Sequence, residues 1–226
     1  MKKLNNVTLL GIDCIDIERL VVAAEISTKK IEFGAVKLLS NLTYPNYDII
    51  KIPKIDSIEK YSKFMIKELF KYVDTDYVLI FQHDGFVLNP DNWSDSFLEF
   101  DYIGACWPWY QDAYDIGNGG FSLRSKKLLK MLAHDPCIFE FHPEDYIICR
   151  TYGAYLRKQG IKFASREIAD KFSLEKERWE GQFGFHQADL SNWNINEYLD
   201  KSRFSKYYEL FYETFPDALF KERNVV

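Results

Sequence analysis

The chain has 226 residues, a hydrophobic fraction of 47% and a formal net charge of −5, enough for one sizeable domain with its own core. The absence of a long basic run argues against nucleic acid as the main partner, since backbone binding needs a positive stripe. No apolar stretch nears the ~20 residues of a membrane span.

The opening Met-Lys-Lys-Leu-Asn-Asn leads into an apolar run that is short and broken by Asp13. That makes a poor signal peptide, so a cytoplasmic protein is expected. Four cysteines (Cys14, Cys106, Cys137, Cys149) lie far apart without metal-type pairing and read as buried free thiols.

Val7 to Ile12 reads as a buried first strand. Asp16 is placed to cap a helix carrying Ile17, Leu20, Val21 and Ala24 on one face. Val36 to Leu39 and Ile49 to Ile52 read as short strands punctuated by Pro45 and Pro53. Asp56, three residues before Glu59, resembles a capping box. Ile58, Tyr61, Met65, Leu69 and Tyr72 follow at helical spacing. The apolar run Tyr77 to Phe81 is the next strand, and it ends abruptly in Gln82-His83-Asp84-Gly85. This order predicts an α/β fold with a mostly parallel sheet covered by helices.

Tyr102 to Cys106 and Phe121 to Leu123 read as further strands. Ser125 caps a helix through Leu132. Pro143 fits the first position of a helix running to about Gln159. Phe163 and Ala164 suggest one more strand. The expected catalytic domain spans residues 1–195. The Tyr-, Phe- and Leu-rich tail, 196–226, reads as a helical extension packing on the domain or on a partner.

Five segments carry candidate chemistry. Asp84, at a strand end, can hold a hard divalent cation, or Asp-Gly simply makes a turn. Strand alternation places Gln82 and Asp84 on one side and His83 on the other, which argues against His83 as a ligand. Gly117-Asn118-Gly119-Gly120 either lets backbone approach a bulky ligand or forms a tight turn. Glu144 and Asp145 sit at a helix start, where the dipole favours acids and where one carboxylate can act as a general base. His186 is a metal-ligand candidate or a hydrogen-bonded structural residue. Trp107-Pro108-Trp109-Tyr110 is either a stacking wall for a sugar or a buried plug.

Taken in order, these segments resemble GT-A-fold nucleotide-sugar glycosyltransferases. Gln82-His83-Asp84 stands for the metal-binding acidic motif, Gly117 to Gly120 for the glycine-rich loop, Pro143-Glu144-Asp145 for the x-Glu-Asp motif, and His186 for the C-terminal histidine. The phrases FQHDGFVLNPDNW, DYIGACWPW, GNGGFSLRS and PEDYIICR also resemble a bacterial family of GT-A-like domains met in polysaccharide gene clusters. The resemblance covers most of Val7 to His186. It implies a GT-A-like, Rossmann-related mixed sheet, mostly parallel and flanked by helices.

The resemblance also implies roles. Asp84 and His186 would hold Mn²⁺ or Mg²⁺ against the diphosphate of a nucleotide-sugar donor, a UDP-sugar above all. Asp13, Gln82, Asn118, Gly119 and Gly120 would line the donor site, with the two glycines letting the sugar lie against backbone. Asp145 would be the base of an inverting transfer, with Glu144 orienting the acceptor or the base. Trp107 and Trp109 would face a glycan or lipid-linked acceptor, the latter implying peripheral membrane association. Gln82 departs from the pattern, which usually has an acid there. This weakens the metal site or makes the reaction metal-independent, with His186 then contacting phosphate directly. Two other readings are a non-catalytic carbohydrate-binding domain on the same fold and a nucleotidyltransferase. The latter lacks a basic Gly-rich loop near the N-terminus.

Overall fold

A computed structural model describes residues 1–110, 112–188 and 190. The expected extension, 196–226, lies outside the described residues. A six-stranded sheet has the order β3-β2-β1-β4-β6-β5, formed by β1 (Lys2–Ile12), β2 (Ile31–Ser40), β3 (Ile49–Lys51), β4 (Tyr77–Phe81), β5 (Tyr102–Ile103) and β6 (Ser122–Ser125). β1 pairs in parallel with β2 and β4, and β2 with β3. β6 runs antiparallel to both of its neighbours. This is the mixed, mostly parallel sheet flanked by helices that was expected.

Why the second half of β1, from Val7, and all of β4 are nearly continuous apolar runs follows from the packing. Leu9, Leu79 and Phe81 face one layer of core with Leu20 and Val21 of α1 (Ile17–Thr28). Leu10, Val78 and Ile80 face the other layer, with Met65 of α2 (Ile58–Lys67) and Leu129 of α3 (Lys126–His134). Both faces are covered, so neither parity can be polar.

Helix starts follow side-chain capping. Asp16 accepts from the Glu18 N–H, and Ser125 from the Leu128 N–H. At α2 the expected cap is displaced by one residue. Ser57 accepts from the Lys60 N–H at 3.2 Å, while the Asp56 carboxylate takes the Lys60 ammonium at 2.6 Å. The helix expected from Pro143 is interrupted. Pro143 is its N-cap, in extended conformation. α4 (Glu144–Tyr146) runs into a π turn over Ile147–Thr151 before α5 (Gly153–Lys158). The last helix is α6 (Arg166–Phe172).

The strand expected over Tyr102 to Cys106 stops at Ile103. A Cβ on Gly104 would lie 1.7 Å from the Gly117 carbonyl oxygen, so the chain turns there against the glycine loop. Cys106 keeps only an isolated bridge to Ile116. Phe163 likewise makes one bridge, to Tyr102. All four cysteines are free, but only Cys14 and Cys149 are buried. Cys106 is partly covered and Cys137 is exposed. No helix among the described residues is long and apolar enough to cross a membrane.

Candidate functional site

The connection from β1 leads to β2 on one side, and the chain then returns past β1 to place β4 on the other. Between β1 and β4 the topology reverses, and a crevice opens at their carboxyl ends. Because β6 is antiparallel, the loop before it reaches the same end of the sheet. A cavity of about 550 Å³ lies there, lined by residues following β1 and β4, the start of α2, Asn118 to Gly120, Pro143 to Asp145, Glu175 and His186. Segments separated by more than 100 positions therefore share one pocket.

After β4 the chain closes on itself. Gln82 and Gly85 exchange backbone hydrogen bonds of 2.8 and 3.2 Å, leaving His83 and Asp84 at the tip of a two-residue turn. The turn ends strand alternation at Phe81, so His83 lines the cavity alongside Gln82, while Asp84 is not among the lining residues. Burial pushes the His83 imidazole below its ordinary range, against the opposing pull of the Asp84 carboxylate.

Asp84 Oδ2 accepts from Gln187 Nε2 at 3.0 Å. Its Oδ1 is buried and has no hydrogen-bond partner among the described residues. That oxygen lies 3.7 Å from His186 Nε2 and 3.7 Å from His83 Nδ1. Among the described residues no set of three or more His, Cys, Asp or Glu side chains forms a ready-made metal cage. The residues fit a cation that brings part of its own shell, because two ligands on metal bonds of ~2.1 Å stand ~3–4 Å apart.

Histidine 186 is held from several sides. Asn118 Nδ2 lies 3.1 Å and Glu175 Oε1 3.4 Å from Nδ1, while Gln82 Oε1 lies 3.3 Å from Nε2. Glu175 gave no signal in the sequence, and it reaches the site through an isolated bridge with His186. Gln82 in turn donates to the Tyr61 hydroxyl at 3.0 Å, so an expected core residue of α2 reaches the cavity. Asn118 is buried in the left-handed region at φ 59°, which asparagine tolerates better than most residues, and its Oδ1 accepts from the Gly120 N–H at 2.9 Å. It is engaged in building the loop.

The two glycines serve the protein's own packing. A Cβ on Gly119 would lie 1.9 Å from Glu144 Oε1, and one on Gly120 would lie 2.3 Å from His186 Nε2. A side chain at either position would meet Glu144 or His186, while both backbones still line the cavity. Asp13 borders the cavity, but its carboxylate is committed. Oδ1 accepts from the Ile15 and Asp16 N–H groups at 2.8 and 2.9 Å, and Oδ2 from Arg19 Nε at 2.6 Å.

The paired acids at α4 differ. Glu144 is buried and its Oε1 accepts from Arg124 Nη2 at 2.8 Å. Asp145 accepts the Gly119 N–H at 3.3 Å and the Tyr146 N–H at 2.8 Å. Burial first, then the charge on Glu144, raise the Asp145 carboxyl above its ordinary range, while the two N–H donors and Arg124 pull the other way.

The aromatic segment also divides. Trp107 is buried, and its ring occupies the space a Cβ on Gly117 would need. Trp109 is 59% exposed and stacks on Trp107 with ring centroids 6.4 Å apart. Neither lines the cavity. Tyr146, next to Asp145, packs against Trp107. Arg150 lies over the Tyr110 ring at 3.6 Å and binds both Asp112 oxygens, which fixes the segment.

A family model described as "Protein of unknown function (DUF5672)" matches residues 46–189, more than half of the chain. The chain belongs to the DUF5672 family. The matched part of this DUF5672 chain contains every site residue named above except those from Asp13 to Arg19. No curated protein matches it. Solved structures similar to this DUF5672 chain include the galactosyltransferase LgtC with donor and acceptor sugar analogues, at 18% identity over 75% of each chain and a TM-score of 0.44. The glycosyltransferase GlyE of Streptococcus pneumoniae TIGR4 is similar at 14% identity over 76% of this chain and 47% of that one, with a TM-score of 0.44.

Proposed function

We propose that the chain is a glycosyltransferase that moves a sugar from a nucleotide-diphosphate sugar, a UDP-sugar, to a hydroxyl of a glycan or lipid-linked acceptor. The observation that carries this reading is two kinds of group at one crevice. One is a carboxylate with raised proton affinity, Asp145. The other is a buried carboxylate oxygen without a hydrogen-bond partner among the described residues, Asp84 Oδ1, 3.7 Å from an imidazole nitrogen of the crevice-lining His186.

Asp145 takes the proton of the acceptor hydroxyl as its oxygen attacks the anomeric carbon. The bond from that carbon to the phosphate oxygen breaks, and its electron pair leaves with the nucleoside diphosphate. A base on the acceptor side and a leaving group on the other give inversion. The Gly119 and Tyr146 N–H groups fix the Asp145 carboxylate for this step, and its burial raises its affinity for the proton. Asp84 and His186 would hold Mn²⁺ or Mg²⁺, which offsets charge on the leaving diphosphate. Arg19, tied to Asp13 through Nε, adds positive charge at the donor end of the crevice. Trp109 offers the acceptor an exposed stacking face. A lipid-linked acceptor would bring this cytoplasmic enzyme to a membrane surface.

Release of UDP from UDP-sugars in the presence of Mn²⁺ tests the reading. It requires turnover that depends on Asp145. No hydrolysis or transfer from any nucleotide sugar, with or without metal, would overturn it. The exposed Trp109 supports a second reading, a non-catalytic carbohydrate-binding domain. Glycan binding that survives Asp84→Ala and Asp145→Asn, with no donor hydrolysis, would favour that reading.

A further inference from the structure

Arg124 is wholly buried in β6. Its Nε donates to Ser122 Oγ at 3.0 Å, and its Nη2 to Glu144 Oε1 at 2.8 Å and to the Gly119 carbonyl at 3.4 Å. Its Nη1 has no hydrogen-bond partner among the described residues. A buried arginine is costly, and an apolar side chain of similar volume often serves stability as well or better. The position therefore calls for a reason beyond packing.

That reason lies in what the guanidinium holds. Glu144 and Asp145 meet the same residue of the glycine loop from two directions. Arg124 and Ser122 Oγ bind the Gly119 carbonyl, and Asp145 accepts the Gly119 N–H. The Glu144 oxygen fills the space beside Gly119. Several titratable or charged groups bear on Asp145: Glu144 on its own helix, Arg124 on β6, Tyr61 on α2, Tyr102 on β5 and Cys149 in the π turn. Of these, Arg124 alone is positive.

We propose that Arg124 is a positioning residue for Asp145: by pairing with Glu144 behind the glycine loop it keeps that carboxylate out of the chemistry and leaves Asp145 as the proton acceptor of the crevice. The catalytic use of that proton acceptor rests on the transferase reading above, but the electrostatic arrangement does not. Glu144, expected from the sequence to orient acceptor or base, acts on the base by way of Arg124 and Gly119.

Carbon-13 NMR of the Asp145 carboxyl, followed across pH in the free protein, tests this without donor or acceptor. Arg124→Met leaves Glu144 unneutralised and raises the Asp145 midpoint by about one pH unit. Glu144→Gln leaves Arg124 unneutralised and lowers it by a similar amount. The double variant removes both charges and returns the midpoint close to that of the parent, a rescue that a merely structural role would not produce. If Arg124→Met fails to fold, Glu144→Gln and the double variant carry the test. An Asp145 midpoint unmoved by Glu144→Gln, or a double variant unlike the parent, overturns the proposal. Because the readout needs no turnover, a failed transferase assay and a failed positioning role are told apart.

Discussion

The buried Oδ1 of Asp84 lies 3.7 Å from Nε2 of His186, and no hydrogen bond satisfies it among the described residues. An uncompensated buried carboxylate oxygen is expensive. A cation between the two groups would remove that cost, so binding and stability should be linked.

Mn²⁺ added with saturating UDP should raise Tm by about 5–10 °C, the size expected when ligand exceeds Kd by about a hundredfold. The Mn²⁺-dependent part should vanish in Asp84→Asn and in His186→Ala. Differential scanning calorimetry with and without each ligand checks this. An Mn²⁺ effect that survives both substitutions would place the metal elsewhere.

Gln82 touches His186 at 3.3 Å but brings no charge. Gln82→Glu keeps the length and adds the acid that the resemblance leads one to expect. It should tighten Mn²⁺ binding in the presence of UDP by about tenfold, since cation affinity follows ligand charge count. Isothermal titration calorimetry reads the change. Unchanged or weaker binding would show that Gln82 faces the imidazole only.

Asp145→Asn should cut transfer by about 10²–10⁴-fold and lose one of the two backbone hydrogen bonds to Asp145, but it also removes a pH-dependent cost. Because the folded carboxyl is raised above its ordinary value, ionising it at neutral pH costs folding free energy. That cost is absent below the unfolded value of about 3.9 and grows as pH rises through the folded one. The Tm of the variant relative to the parent should therefore be more favourable at pH 7 than at pH 4 by roughly 2–4 °C, since the lost hydrogen bond costs the same at both. Equal Tm differences at both pH values would contradict the assignment.

The two tryptophans should separate. Trp107→Ala removes a buried ring and should cost about 3–5 kcal/mol of stability. Trp109 is 59% exposed, so Trp109→Ala should leave Tm nearly unchanged and raise KM for the acceptor alone. Chemical denaturation and steady-state kinetics with donor and acceptor varied separately distinguish the two. A raised donor KM in Trp109→Ala would move this residue out of the acceptor side.

What was legible in the sequence is what depends on local pattern. β4 was read to its bounds because five apolar residues end in a polar turn, and Asp16 and Ser125 were found as caps because their partners lie two or three residues on. The crevice at the end of β4 followed from the same pattern. What escaped depends on distant partners. Asp56 and Ser57 are both good caps, and the lysine at position 60 engages them both. Arg124, between Leu123 and Ser125 in a short strand, carries no local sign of its burial, because its partner Glu144 lies 20 residues on. Glu175 belongs to the site only because its chain bridges His186. Why positions 119 and 120 need glycine is also invisible locally, because the side chains that a Cβ would meet come from residues 144 and 186.

Co-crystallisation with UDP and Mn²⁺ tests the central claim most directly. The account predicts the diphosphate in the crevice between β1 and β4, with the metal touching Asp84 Oδ1 and His186 Nε2 and the Asp145 carboxylate left free to face an acceptor. A nucleotide bound away from that crevice, or a crevice that stays vacant at saturating UDP and Mn²⁺, would contradict it.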